Sequence, residues 1–419
     1  MPIRALTGNE AMAEAMRQIN PDVVAAYPIT PATEIVQLFA SFVADGLVDT
    51  EFVPAESEHS AIAACAGASS AGARVMTSTS SQGLALMHEI LYIAAGLRAP
   101  IVICGVNRSL SSPINIHCDH SDTMGSREAG WIQIFAEDAQ DAYDSTIQAI
   151  RISEEVLLPV IVSTDAFIIS HSMQRVDMLE DNEVQKFIGP HRYPYSLFEK
   201  TITIGPLDLQ DYFFEHKRQQ IEAMWKSSPI IEKVTQEFAH RFGRTYGFLE
   251  SYRLEDAEQV LIACGSTCGT ARVAIDNLRE KGIKVGLLKL RIMRPFPHLK
   301  LLNLLCHSDP DPFACHSERS EESHRTAQGR FCEGEESHIK LINVLDRSVT
   351  MSTMGGPVYV ELRSALYDAP ERPLLVDYIY GLGGRDIDVE QIIDVGLKGE
   401  QIIKKNKVEK PVDYIGLRE

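Results

Sequence analysis

No two cysteines in this sequence stand in a C-x-x-C pair, and the eight present are scattered through 419 residues. The close run of thiols that holds an iron–sulfur cluster is missing, and so is the dense spacing of a disulfide framework. The chain therefore has no means of its own for passing single electrons. Cys264 and Cys268 lie where a strand turns into a helix, and each reads as a packed, reduced thiol. Positive charge is also scarce: 40 Lys and Arg face 58 Asp and Glu, a net charge of -18. That balance argues against nucleic acid, whose phosphates require a basic footprint. No stretch approaches the roughly 18 uninterrupted apolar residues of a membrane span. The first residues, MPIRALTGNEAMAEAMRQI, carry acids where a secretion signal carries an apolar block. A cytoplasmic protein with no membrane contact is expected.

What is present is ordinary globular material, 45% hydrophobic and 23% charged, in a chain long enough for two cored domains. Asp22 to Ala26 reads as a short strand, and Tyr27-Pro28-Ile29-Thr30-Pro31 turns it into a helix. Thr30 suits the N-cap and Pro31 the first helical position. Phe52 to Gly83 follows the same plan. Glu56, Ser57, Glu58 and His59 open a helix made of alanines with Gly67 and Gly72. A strand from Arg74 to Ser81 then stops at Gln82-Gly83. The residues by themselves support two readings: a capped, alanine-rich helix packed on a sheet, or a ligand site at the carboxyl end of a parallel strand.

Leu84 to Ala95 reads as a buried helix ended by Gly96, and Ala99 to Gly105 as a central strand that delivers Arg108. An arginine in that position can grip a carboxylate with two parallel hydrogen bonds, or form a surface ion pair. Asn115 to Asp122, NIHCDHSD, groups two histidines and two aspartates, but His117, Asp119 and His120 share no helix or strand face. A self-bonded loop lining a pocket is expected there, and no metal site. Asp138 to Glu155 reads as an amphipathic helix and Leu158 to Thr164 as a buried strand.

Residues 174–257 read as a connector packed on a first domain of residues 1–173, with Trp225 and its aromatic neighbours as packing residues. Residues 258–386 restart the alternation with a βαβ unit, in which Gly265 and Gly269 form a tight turn because neither G-x-G-x-x-G nor G-K-[ST] is present. Within them, residues 306–338 are dense in serine, acids and histidine and repeat Glu-Glu-Ser-His. They read as an inserted, mobile low-complexity loop, with a His/Cys metal loop as the alternative. Residues 387–419 are expected as a C-terminal tail.

The stretch SEHSAIAACAGASSAGARVMTSTSSQGLALM resembles the pyrimidine-binding domain of the 2-oxoacid:ferredoxin oxidoreductases, most of all the alpha chains of the pyruvate:ferredoxin oxidoreductase type. YPITPATEI, NRSLSS, CDHSD, RIMRPFP, VLDRS and YGLGGRD extend the likeness, in one order, from Tyr27 to about Asp386. The resemblance implies an α/β chain: a thiamine-diphosphate-fold pyrimidine domain, with a parallel sheet and helices on both faces, and a smaller transketolase C-terminal-like domain. It implies decarboxylation of pyruvate with coenzyme A to acetyl-CoA, CO2 and reduced ferredoxin. The fold's diphosphate signature, Gly-Asp-Gly and a later asparagine, is absent from this sequence. The family therefore implies partner chains: a beta subunit with the diphosphate and Mg2+ site, an iron–sulfur ferredoxin-like subunit, and a gamma subunit. By the same likeness Glu58 matches the catalytic glutamate that faces the pyrimidine N1′, with Glu56 a decoy. Pro28, Ser81 and Gln82 match cofactor contacts, and Thr30 and Arg108 match substrate contacts. The alternatives are a sister enzyme for 2-oxoisovalerate, indolepyruvate or 2-oxoglutarate, or a non-catalytic α/β scaffold subunit.

Overall fold

The computed structural model describes residues 2–306, 338–369 and 371–418. Apart from its two end residues, the low-complexity insertion expected at 306–338 lies outside the described residues. Strand β1 (Ile3–Leu6) enters α1 (Gly8–Ile19) through a capping box, in which Thr7 accepts from the Glu10 amide and Glu10 from the Thr7 amide. There follow β2 (Val23–Ala26), α2 (Thr33–Ala44), β3 (Glu51–Pro54), α3 (Glu58–Ala71), β4 (Val75–Thr79), α4 (Ser81–Leu86), α5 (His88–Gly96) and β5 (Ile101–Asn107). Next come α6 (Ser121–Gly125), β6 (Ile132–Phe135), α7 (Ala139–Val156) and β7 (Val160–Asp165). These strands pair in the order β6-β7-β5-β4-β2-β3, all parallel. Every residue of β4, β5 and β7 is buried. That is the behaviour of parallel strands covered by helices on both faces.

The connector starts inside the first unit, because β8 (Gln174–Asp177) pairs antiparallel with β1. It continues through α8 (Asp181–Ile188) and the long α9 (Phe213–Phe242). A second sheet is built from β9 (Leu249–Tyr252), β10 (Gln259–Ala263), α10 (Thr267–Glu280) and β11 (Val285–Leu290). After β12 (Ile292–Arg294) and α11 (His298–Cys306), it resumes with β13 (Leu341–Asp346), α12 (Pro357–Leu366), β14 (Leu374–Ile379), α13 (Val389–Lys405) and β15 (Val412–Tyr414). The order is β15-β14-β13-β10-β11-β9, parallel except at β9. The expected βαβ unit is β10-α10-β11. Residues 387–419 carry a helix and an edge strand of this sheet. Strand β12 crosses back to pair with β6, so the two units share hydrogen bonds.

Four local expectations are corrected. Thr30 is not an N-cap: Thr30, Pro31 and Ala32 form a turn, α2 starts at Thr33, and no side chain caps it. The turn is held instead by Asn9 of α1, whose amide donates to the Pro31 carbonyl at 2.8 Å. Leu84 to Ala95 is not one buried helix but parts of two, broken at Met87, and Leu86, Tyr92 and Ile93 are exposed. Helix α7 is buried almost all round rather than amphipathic, because α1 and α9 both lie on it and satisfy its polar face. Its Asp144, for example, accepts two bonds from Arg244 and one from the Tyr246 hydroxyl, each 2.6 Å. Trp225 is 54% exposed rather than packed. The fully buried apolar residues of α9, Ile231, Val234 and Phe238, lie in its second half, while in the first half Ala223 and Met224 pack only partly against the core and Trp225 points away from it.

Among the described residues no helix is long and apolar enough to cross a membrane. The six described cysteines are free and buried, Cys264 and Cys268 included.

Candidate active site

Strands β5, β4, β2 and β3 are neighbours in the first sheet, and every candidate site residue emerges at their carboxyl ends. Open α/β sheets place ligands at this edge, since the chain leaves each parallel strand there with free backbone groups. After β2 come Pro28 and Thr30, both exposed. After β3 comes Glu58, after β4 come Ser81 and Gln82, and after β5 comes Arg108.

Ser57, not an acid, caps α3: its hydroxyl accepts from the Ser60 amide at 3.2 Å. Glu58 therefore sits in the first turn, where the helix dipole favours an anion. It is 7% exposed, and no described residue offers its carboxylate a hydrogen bond. Glu56 is its opposite, exposed and satisfied. The Ser60 hydroxyl donates to it, which lowers its pKa. The Glu58 carboxylate thus lies in a recess with both oxygens uncommitted to any described residue, which leaves it open to a ligand's hydrogen-bond donor.

The wall facing Glu58 is Gly83, a residue that sequence reading took only as the end of a loop. A Cβ built on Gly83 would stand 2.8 Å from Glu58 Oε1 and would also collide with the Thr79 hydroxyl. The Thr79 and Ser80 hydroxyls are buried here without hydrogen-bond partners. Orphaned polar atoms and a glycine-lined cradle beside a partnerless carboxylate fit a flat, polar heterocycle. Gly83→Ala is expected to push the Glu58 carboxylate aside and lower turnover about 10- to 100-fold, the scale of an ångström-sized misplacement. Steady-state kinetics beside an unchanged circular dichroism spectrum would check it.

Ser81 holds a left-handed backbone, φ 47°, which is uncommon for a side chain of this kind. Its hydroxyl donates to the Ser109 carbonyl at 2.6 Å, and its amide donates to Asp122 Oδ2 at 2.9 Å. Arg108 is 7% exposed, and burial lowers its pKa against the pull of Asp122. Its Nε donates to the Asn115 carbonyl at 3.0 Å and its Nη1 to the Thr30 carbonyl at 2.8 Å. Thr30 and Arg108 are thus brought together, through the Thr30 backbone rather than its hydroxyl. Asp122 itself is fully buried, and that burial pushes its carboxyl up to about 6 against four N–H donors that oppose the shift.

The NIHCDHSD loop bonds to itself, as its spacing suggests: Ser109 Oγ donates to Asp119 Oδ2 at 2.7 Å, and Ser121 Oγ to Asp119 Oδ1 at 2.5 Å. Cys118, His120 and Asp165 come together in the interior. The Asp165 carboxylate there already meets His120 Nε2 at 2.7 Å and Arg347 Nη1 at 2.9 Å. Burial alone would raise the pKa of Asp165, but His120 and Arg347 hold it well below the usual carboxylate range. With a guanidinium already at that carboxylate, the cluster is an ion-pair node between domains. Ser266, after β10, also donates to Asp165 through its amide at 3.0 Å. Asn115 Nδ2 reaches the Gly383 carbonyl at 3.0 Å, and the Gly383 amide reaches Asp119 at 3.2 Å. The carboxyl edge of the second sheet therefore braces the loop that carries Arg108.

Known proteins resemble this chain along nearly its whole length. A family profile described as "Pyruvate flavodoxin/ferredoxin oxidoreductase, thiamine diP-bdg" matches residues 14–236, and one described as "Pyruvate:ferredoxin oxidoreductase core domain II" matches 257–309 and 334–392. The chain belongs to the pyruvate flavodoxin/ferredoxin oxidoreductase family. It is 51% identical to the pyruvate synthase subunit PorA of Thermotoga maritima, over 99% of this chain and 98% of that protein. It is 41% identical to the PorA of Methanothermobacter thermautotrophicus, over 100% and 99%. A ketoisovalerate oxidoreductase subunit VorA from Pyrococcus horikoshii is 37% identical, over 99% and 98%. In fold the chain is similar to a solved 2-oxoglutarate:ferredoxin oxidoreductase of Magnetococcus marinus, with a TM-score of 0.68 at 22% identity. That match covers 96% of this chain and 65% of the solved one, so the chain spans about two thirds of its length.

Proposed function

We propose that this chain is the alpha subunit of a thiamine diphosphate-dependent pyruvate:ferredoxin oxidoreductase, and that Glu58 is its catalytic acid–base residue. The observation that carries this reading is Glu58: a recessed side chain whose carboxylate is uncommitted among the described residues and is faced by Gly83, in a chain half identical to a pyruvate synthase subunit. Thiamine diphosphate, when bound, supplies the carbon nucleophile and the electron sink for decarboxylation. Glu58 would share a proton with N1′ of its pyrimidine ring, and Gly83, lacking a side chain, leaves room for that contact. Pro28, Ser81 and Gln82 line the ring's surroundings. Arg108 binds the 2-oxoacid carboxylate with the donors its backbone contacts leave free, and Thr30 adds its exposed hydroxyl.

Pyruvate and coenzyme A become acetyl-CoA and CO2, and the electron pair released goes to ferredoxin. Because this sequence lacks cluster cysteines and a diphosphate signature, Mg2+, the diphosphate site and the iron–sulfur clusters belong to beta, ferredoxin-like and gamma partner subunits. The likeness to VorA makes a branched 2-oxoacid the second reading.

The test is the complex purified with its partners and assayed on pyruvate, 2-oxoisovalerate, indolepyruvate and 2-oxoglutarate with coenzyme A and ferredoxin. Pyruvate is expected to give the highest kcat/KM; preference for another oxoacid moves the chain to a sister enzyme, and inactivity on all four removes the proposal. Arg108→Lys is expected to raise the pyruvate KM roughly 10- to 100-fold, the worth of a charged hydrogen-bond pair, with cofactor affinity little changed. The isolated chain is expected to be inactive and to bind thiamine diphosphate weakly by calorimetry.

A further inference from the structure

The strongest unassigned feature near the site is a buried carboxylate whose hydrogen bonds all go to protein N–H donors. Asp122 is 3% exposed and lies in α6, yet three of its four hydrogen bonds run to the segments that carry the site. Oδ2 accepts from the Ser81 amide at 2.9 Å and from the Arg108 amide at 3.0 Å. Oδ1 accepts from the Asn107 side chain at 2.8 Å and from the Thr123 amide at 2.7 Å. Ser81 follows β4 and Arg108 follows β5, so one oxygen ties together the chain leaving two neighbouring strands.

We propose that Asp122 is a positioning residue that fixes the Ser81 turn and Arg108 in a single register, so that the cofactor side and the substrate side of the site are set by one carboxylate. Four donors and no acceptor surround it, and an ionised carboxylate is the side chain with only acceptors to offer. An asparagine of the same shape would turn an NH2 group toward two N–H donors, whichever way it flipped. The backbone it would release is the least relaxed part of the site, since Ser81 stands at φ 47°. A wandering Ser81 turn loosens the cofactor contacts, and a wandering Arg108 amide re-aims the guanidinium. The two failures should appear together, which separates Asp122 from Arg108, whose loss touches substrate alone. The inference rests on the function proposed above.

The experiment is Asp122→Asn in the assembled complex. Leaving buried donors unpaired is worth roughly tenfold or more in an equilibrium, so the pyruvate KM and the thiamine diphosphate Kd by calorimetry are each expected to rise about tenfold. Amide hydrogen exchange should quicken at Ser81 and Arg108 and not across the domain. A folded Asp122→Asn complex with unchanged KM and Kd overturns the proposal, as does exchange that quickens throughout the domain, the mark of a general stability loss. If Asp122→Asn does not assemble, Asn107→Ser, which withdraws only one side-chain donor, decides. A smaller paired rise in KM and Kd supports the proposal, and no rise in either overturns it. Should the wild-type complex lack pyruvate activity, the proposed function fails, while cofactor affinity and amide exchange still judge Asp122.

Discussion

Turnover of the assembled complex is expected to fall roughly 10²- to 10⁴-fold when Glu58 becomes glutamine, the range that a positioned acid–base group contributes. Glutamine keeps the length and shape that Gly83 accommodates, so the cradle is not disturbed. What it loses is the ability to take and return a proton. Among the described residues the side chain has no hydrogen-bond partner, so the substitution breaks no such bond, and folding and assembly should be preserved. Glu56→Gln is the matched control, since that residue is exposed and its carboxylate serves the Ser60 hydroxyl on the surface. It should change turnover little. Hydrogen–deuterium exchange at C2 of the cofactor reads the same step without the later chemistry: it should slow in the Glu58 variant and stay normal in the Glu56 variant. Unchanged exchange in Glu58→Gln, or slowing in Glu56→Gln instead, would remove Glu58 from the mechanism.

The sequence reading distinguished these two acids only through the family match, because both lie at the mouth of the same helix. Burial separates them physically, and it depends on α4 packing beside α3 so that Gly83 faces Glu58, which no local pattern announces. Strand ends were legible for a related reason. A β-branched run that stops at a polar turn marks where a parallel strand delivers its residues, and Arg108 is legible that way, whereas Ser81 and Thr30 rest on the family likeness. Contacts between those ends were not legible. Asp122 was visible only as one acid among several, since its partners Ser81 and Arg108 come from two other strand ends. Gly83 looked like an ordinary loop glycine because the atom it avoids belongs to Glu58, on another element. Trp225 failed in the other direction. A helical apolar pattern shows that a face exists, but not which of its residues the neighbouring elements cover, and Trp225 is left 54% exposed.

Loss of the Asp141 carboxylate is expected to destabilise the protein by about 3–5 kcal/mol, the usual cost of leaving a buried cation without its counter-charge. Asp141 lies on α7 of the first domain, and the cations it holds, Lys289 and Arg291, come from the end of β11 and the link into β12. Lys289 Nζ is 3.1 Å from Asp141 Oδ2, and Arg291 Nε is 3.3 Å from Oδ1. Lys289 keeps Glu137 and Glu250, each at 3.1 Å, whereas Arg291 is fully buried and would retain only the Ser145 hydroxyl, at 2.7 Å, and the Tyr246 ring. Asp141→Ala therefore strands a guanidinium at the seam between the two sheets. Burial opposes ionisation of Asp141, but Lys289 and Arg291 outweigh it and bring its pKa down to about 2 from an ordinary 3.8. A folded-state pKa below the unfolded one means that the stabilisation is complete above pH about 4 and is lost as pH falls toward about 2. The difference in urea midpoint between wild type and Asp141→Ala should be large at pH 7 and shrink as pH drops below about 4. Equal midpoints at pH 7 would mean that Arg291 finds another partner across the seam, and a difference that grows in acid would contradict the sign of the linkage.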